Sequence, residues 1–290
     1  MNKITIKAPA KINFTLDILG VKEGFHQLNS LVASISLWDK VILKKRQDKR
    51  VSLAVDGVDL LIPPQENNAY KTAVRFMEEF DVNGVDIILK KAIPIGGGLG
   101  GSSADISAVV KGMQKLYNVE KDVFPLLNQL GSDTSYMYNG GWATISGKGE
   151  KITPVKFKGK FYLLLLMAEQ SVTAGACYKE FDNQNKTYPQ ATDKTVELLQ
   201  QNKSEEFLSY LKNDLYPPAK ALLPEIEKNY LALSKVGKAI MTGSGSVTVG
   251  VYLTKCQRDK AYKELYPIFK DKQFKPQKGN LFSSCPFIFY

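Results

Sequence analysis

The chain has 290 residues, 39 of them basic and 29 acidic, for a formal net charge of +10, with 3 cysteines and 1 histidine. That length suffices for a large core divided between two domains, and no apolar run reaches membrane-spanning length, residues 161–168 stopping far short. Cys177, Cys256 and Cys285 are too scattered, and odd in number, for a disulfide framework or a zinc cluster, so a buried structural role is expected of each.

The basic residues are spread along the chain and build neither a tail nor an arginine-rich helix, which favours a solvated positive surface over a nucleic-acid interface. Such a field still gathers small polyanions. The amino terminus, MNKITIKAPAKINF, turns polar before a signal-peptide core could form, and a cytoplasmic protein with no membrane partner is expected.

Residues 3–19 alternate as one strand, with Ile12, Phe14, Leu16 and Ile18 on the apolar side and Lys11, Asn13, Thr15 and Asp17 on a side that by default faces solvent. Residues 20–27 read as a loop holding the lone histidine, His26, beside Phe25. A lone histidine is more often structural, but a ring next to an imidazole also suits a planar base. Strands follow at 31–37, 40–45 and 51–55 as hairpins with polar turns. Asn67 or Asn68 caps a helix with Ala69, Ala73, Phe76, Met77 and Phe80 inward.

A helix at 122–130 precedes Asp133, which by itself reads as the N-cap of a short helix. Residues 140–150 form a strand with glycine turns, and a composition shift at 153–160 sets the domain boundary. Beyond it come a fully buried strand at 161–168, a helix from Thr173 to Phe181, a surface loop at 182–195, and helices at 196–212 and 219–233. A second glycine loop, 241–246, leads into a strand, a helix at 256–269 and a last strand near 280–290.

The stretch 94–105, PIGGGLGGSSAD, carries the most chemistry. It has five glycines and two serines, follows an apolar strand at 85–89, and precedes a helix with Ile106, Val109, Val110, Met113, Leu116 and Tyr117 on one face. Glycines let a backbone approach an anion closely, and a helix start offers unpaired N–H donors. Ser102 or Ser103 is expected to cap the helix or to reach a phosphate-bound cation. A GxGxxG pattern fits Gly96, Gly98 and Gly101 only weakly, and the missing lysine excludes a Walker A loop.

Three separated pieces, KAPAKINFTLDILG with GFH behind it, PIGGGLGGSSAD, and MTGSGS near the carboxyl end, together resemble the GHMP family of small-molecule kinases over nearly the whole chain. The resemblance implies a two-domain α+β fold. Residues 1–155 would form an α+β nucleotide-binding domain and residues 156–290 a ferredoxin-like, split βαβ domain, with ATP and substrate meeting in the cleft. It also implies an ATP- and Mg²⁺-dependent phosphotransferase with an alcohol acceptor, monomeric or homodimeric.

Within the family, LGSDTSYMYNGGWATISGKGE and NDLYPPAKALLPEI look like the members that phosphorylate the 2-hydroxyl of 4-diphosphocytidyl-2-C-methyl-D-erythritol for non-mevalonate isoprenoid precursors. A homoserine- or mevalonate-type alcohol is the alternative acceptor. By position, Lys11 and Asp133 match the catalytic lysine and aspartate. Pro94, Ile95, Gly96, Gly97, Gly98, Leu99, Gly100, Gly101, Ser102, Ser103 and Ala104 match the nucleotide loop. Asn13, Phe25, His26, Thr173, Thr242, Gly243 and Ser244 match the substrate side. Phe25 stands where those members carry tyrosine. The run GGSSADIS replaces GGSSDAA, so either the serines shift by one place or Ser103 and Asp105 take the first serine and aspartate positions; the metal ligands stay open. A basic nucleic-acid-binding protein on a related scaffold is the rival from another class, and it leaves Lys11 and Asp133 without a role.

Overall fold

The computed structural model describes residues 1–57, 62–184 and 187–269, and the backbone of the strand at 277–280. The first half is strands β1 (Lys3–Asn13), β2 (Thr15–Lys22), β3 (Phe25–Lys45) and β4 (Val51–Asp56), helix α1 (Asn68–Phe80), strand β5 (Val85–Lys90), helices α2 (Gly101–Tyr117), α3 (Phe124–Leu130) and α4 (Thr134–Asn139), and strands β6 (Trp142–Gly147) and β7 (Lys151–Pro154). The second half is β8 (Tyr162–Leu166), α5 (Ala174–Gln184), α6 (Thr192–Gln200), α7 (Ser204–Ser209), β9 (Lys212–Asn213), α8 (Tyr216–Leu222), α9 (Pro224–Ser234), β10 (Lys238–Met241), β11 (Thr248–Tyr252), α10 (Lys255–Phe269) and β12 (Gln277–Asn280).

The spine of the first sheet is β3. No glycine or proline interrupts its 21 residues, so the chain stays extended where two hairpin strands were expected. Its amino-terminal part pairs with β2 and β6, its carboxyl-terminal part with β5, and β1 runs antiparallel beside it from Asn13↔Val32 to Lys3↔Lys44. β4 adds to β5 in parallel rather than closing a hairpin. Helix α2 lies on this sheet closely enough that a Cβ on Gly112 would meet Leu43 Cδ1 at 2.4 Å.

The second sheet has the order β10–β11–β8–β12, with every neighbour antiparallel. With α5 to α9 between its first two strands and α10 between its last two, this is the βαββαβ ferredoxin-like topology. Alternation along β8 sends Leu164 and Leu166 to a cluster with α9 and α10 residues Leu233, Ala261, Leu265 and Phe269. It sends Leu163 and Leu165 into the core shared with the first sheet, where Phe14, Trp142, Phe161 and Phe207 meet. The first sheet's last hairpin ends at Pro154 and β8 begins at Tyr162, but β9 returns to pair in parallel with β2.

Several expectations are corrected. The strand expected at 3–19 breaks at Phe14 into β1 and β2, and its polar side is buried: Lys11 is 6% exposed and Asp17 1%. That side faces the second half of the chain, where Asp17 accepts from Ala191 N and Thr192 N and Thr15 Oγ1 bonds Thr192 Oγ1. The loop expected at 20–27 is a tight β2–β3 hairpin turning at Glu23 and Gly24, both with φ positive (54° and 77°). The expected surface loop at 182–195 is helical at its two ends, in α5 to Gln184 and in α6 from Thr192, with Thr192 and Thr195 buried. The expected helices at 196–212 and 219–233 are each split, the second where Leu223 turns extended ahead of Pro224. Cys177 is buried but Cys256 is exposed; Cys285 and all but the first residue of the strand expected near 280–290 lie outside the described residues. Among the described residues no helix is long and apolar enough to cross a membrane, and no three His, Cys, Asp or Glu side chains cluster for a metal.

Candidate active site

Two cavities share one wall. One, about 350 Å³, lies over the loop between β5 and α2 and is lined by Asn67, Asn68, Lys91, residues 93–103 and Asp105. The other, about 450 Å³, lies on the far side of that loop and is lined from both halves of the chain. Gly98 and Gly100 line both.

The loop's shape follows from its glycines. Gly96, Gly98 and Gly100 have φ of 72°, 75° and 71°, an alternating backbone that turns successive N–H groups toward one side as an anion nest. Side chains are also excluded by contact: a Cβ on Gly98 would lie 2.3 Å from Thr242 O, and one on Gly100 2.3 Å from Met137 Cε. Each half of the chain pins the loop, with Lys11 N donating to Leu99 O (2.9 Å) and Val247 N to Gly97 O (3.2 Å). Helix α2 starts at Gly101, adding its amino-terminal N–H groups and dipole. Its N-cap is Gly100, without a side-chain bond, so neither serine caps it; Ser102 Oγ instead accepts from Asn68 Nδ2 at 2.7 Å.

Beneath the loop is a buried clasp. Asp39, in mid-β3, accepts from Ala92 N (2.6 Å) and Ile93 N (2.8 Å), and Lys91 bonds both Asp39 and, at 2.6 Å, Asp105 in the first turn of α2. One lysine thus ties the loop's entry to its exit. Burial pushes the Asp105 carboxyl up to about 7, with Lys91 opposing and Asp39 reinforcing the shift. Among the described residues, the buried Asp105 Oδ1 has no hydrogen-bond partner. Lys91 is raised despite its own burial, because both carboxylates hold its charge.

On the other side of the loop, a bulge between Pro9 and Lys11 in β1 re-aims Lys11. Its Nζ lies 3.4 Å from Asp133 Oδ2 and donates to Asn13 Oδ1 at 2.8 Å. Asp133 occupies the N-cap position of α4 but caps nothing; its carboxylate, 30% exposed, is turned to the cavity. Asn13 joins the halves: its N donates to Thr242 Oγ1 (3.0 Å), its Oδ1 accepts from Gly243 N (3.1 Å), and its Nδ2 donates to Ser30 Oγ (2.8 Å).

The cavity's outer end is aromatic. His26 stacks on Tyr178 of α5 with centroids 4.6 Å apart, and its Nε2 bonds Asp182 Oδ1 at 2.8 Å. Burial pushes the Tyr178 hydroxyl well above the usual tyrosine range. Phe25, 56% exposed, lies under the Lys148 ammonium at 4.3 Å.

The structure therefore brings Lys11, Asn13, Phe25, His26, Asp133, Gly243 and Ser244 to one cavity and residues 94–103 to the other. Thr242 sits buried behind the first group. Ala104 is buried in α2. Thr173 is exposed, and its Oγ1 accepts from Ala176 N at the start of α5; neither it nor Ala104 lines a cavity. Sequence reasoning missed Asp39, Lys91, Lys148 and Tyr178. A charged residue inside an apolar strand was the available signal for Asp39, and the lysine at the strand–loop junction that for Lys91; nothing local marks Tyr178.

The GHMP kinase N-terminal domain family matches residues 67–146. The chain is 31% identical over 270 residues to 4-diphosphocytidyl-2-C-methyl-D-erythritol kinase of Desulfitobacterium hafniense, covering 89% of this chain and 90% of the relative. A crystal structure of 4-(cytidine 5'-diphospho)-2C-methyl-D-erythritol kinase superposes with a TM-score of 0.79 at 26% identity, over 96% of this chain and 98% of that one. Homoserine kinase from Cytophaga hutchinsonii superposes with a TM-score of 0.72 at 17% identity, over 97% and 95% of the two chains, a likeness of fold alone.

Proposed function

The chain belongs to the GHMP kinases and is an ATP-dependent small-molecule kinase, and from that premise we propose that it phosphorylates the 2-hydroxyl of 4-diphosphocytidyl-2-C-methyl-D-erythritol, a step toward isoprenoid precursors. The observation that carries this is the shared wall: the glycine loop lines the cavity holding the Lys11–Asp133 pair as well as its own. In this reading residues 1–155 form the nucleotide-binding half and 156–290 the half that closes the acceptor cavity.

ATP phosphates rest on the N–H groups of residues 96–101 and the start of α2, which stabilise charge as it spreads over the transferring group. The acceptor hydroxyl enters from the other side, against Asp133. Asp133 accepts its proton, while Lys11, 3.4 Å away, fixes the direction of that carboxylate. Asn13 and the 242–244 loop hold Lys11 in place. Phe25 and His26, with Tyr178 behind, take the planar base; Thr173 acts through α5, which carries Tyr178.

The donor set fits a nucleotide-borne Mg²⁺ rather than a protein cage, since no three His, Cys, Asp or Glu side chains cluster among the described residues. A hydroxyl of Ser102 or Ser103 would hold it beside the phosphates. When bound it offsets the charge of the phosphate oxygens.

The test is ATP consumption by the purified protein with the diphosphocytidyl compound, homoserine and mevalonate as separate acceptors. Turnover with the first alone is expected; turnover with homoserine or mevalonate in its place overturns the assignment.

A further inference from the structure

The acceptor cavity is lined by two lysines, and only one is committed to the reacting end: Lys11 is bound to Asp133 and Asn13. The other, Lys148, sits in the turn between β6 and β7. That turn is built to hold one shape. Gly147 and Gly149 have φ of 72° and 108°, and Lys148 N donates to Glu150 Oε2 at 2.6 Å. On one side the turn abuts the segment before Asp133, where a Cβ on Gly149 would lie 3.4 Å from Ser132 Cβ. On the other side the Lys148 ammonium stands 4.3 Å over the Phe25 ring. The turn carrying Lys148 therefore lies against the segment before Asp133 on one side and the Phe25 ring on the other, and Phe25, Asp133 and Lys148 line one cavity.

An acceptor with a base at one end and an alcohol at the other must place its linking diphosphate between that ring and Asp133. We propose that Lys148 is the diphosphate-binding and specificity-determining residue of the acceptor site, and that it leaves the face of Phe25 when the ligand enters. This rests on the diphosphocytidyl reading above.

Lys148 is held weakly where it stands. Among the described residues its one ion pair is with Glu23 at 3.6 Å, with side-chain exposures of 44% and 69%. Exposed pairs of that kind, and a cation over an exposed ring, contribute little and are readily given up. A diphosphate in a recessed cavity offers a doubly charged, oxygen-rich partner and a stronger charge-assisted bond. The exchange also uncovers the ring for stacking, so phosphate capture and base stacking support each other.

The experiment is a calorimetric titration of the full-length protein with CDP and, separately, with cytidine, comparing wild type, Lys148→Met and Lys148→Arg. Wild type is expected to bind CDP more tightly than cytidine. Lys148→Met should weaken CDP by about tenfold or more, leave cytidine unchanged or slightly tighter, and lower the salt dependence of CDP binding; Lys148→Arg should keep most of the CDP affinity. Unchanged cytidine binding also shows that the variant is folded. If wild type binds CDP and Lys148→Met binds it equally well, or loses CDP and cytidine in the same proportion, the Lys148 role is refuted while the diphosphocytidyl reading stands. If wild type binds neither compound, both fall.

Discussion

At the scale of single residues, the site turns on a lysine and an aspartate 3.4 Å apart. Asp133→Asn and Lys11→Ala should each lower kcat by about 10² to 10⁴ if proton transfer belongs to the transition state, with the far-UV circular dichroism of wild type; near-normal turnover in either variant removes that residue from the reaction. His26 is fixed by Asp182 and Tyr178 at the outer end of the cavity. His26→Ala should therefore raise KM for the acceptor well beyond that for ATP, and equal changes in steady-state kinetics would make it a structural residue. These identities were legible because each falls within a short motif. The burial of Lys11 and Asn13 was not. Alternation shows which side of a strand is polar, but not that a segment some 180 to 230 residues later in the chain, around Thr192 and Thr242, covers it.

At the scale of elements, the Asp39–Lys91–Asp105 clasp holds the two ends of the glycine loop. Lys91→Met leaves two buried carboxylates without their cation and should cost about 3–5 kcal/mol in denaturant unfolding. It should also raise KM for ATP more than for the acceptor; the same KM for ATP would show that the loop keeps its shape unaided. The pH dependence has a definite sign. The folded Asp105 carboxyl lies near 7, above its ordinary value of 3.8, so between those values the native state binds more protons than the unfolded chain. Its contribution is favourable at the acid end and is lost as pH rises toward 7. Thermal midpoints from pH 4.5 to 8 should show wild type losing stability relative to Asp105→Asn as pH rises, and parallel curves would contradict that. The glycine loop itself was readable from composition. The clasp under it was not, because Asp39 falls in the two-residue gap, 38–39, between the strands expected at 31–37 and 40–45, and reads there as part of a hairpin turn.

At the scale of the whole molecule, the two sheets are not independent. Phe14 of the first half stacks on Trp142 at 4.8 Å and reaches Phe161 and Phe207 of the second, 6.0 and 5.6 Å away. The composition shift near residue 155 therefore marks a change of sheet and leaves the core continuous. Phe161→Ala should cost about 3–5 kcal/mol and lower a single cooperative unfolding transition seen alike by near- and far-UV signals; two separable transitions, only one of them shifted, would show that the halves fold apart. The alternation of strands and helices in the second half was readable from its residues, but its ferredoxin-like form only through family resemblance. Its helices are split, and β9 at 2 residues is too short to read from any pattern.

The central claim is that the glycine loop and the Lys11–Asp133 pair act on one transferring phosphoryl group. A crystal structure with a non-hydrolysable ATP analogue and 4-diphosphocytidyl-2-C-methyl-D-erythritol tests it most directly. The 2-hydroxyl oxygen should lie within hydrogen-bonding reach of the Asp133 carboxylate and about 3–3.5 Å from the terminal phosphorus, with the phosphates on the N–H groups of residues 96–101. An acceptor hydroxyl directed away from Asp133, or phosphates bound elsewhere than on that loop, would contradict it.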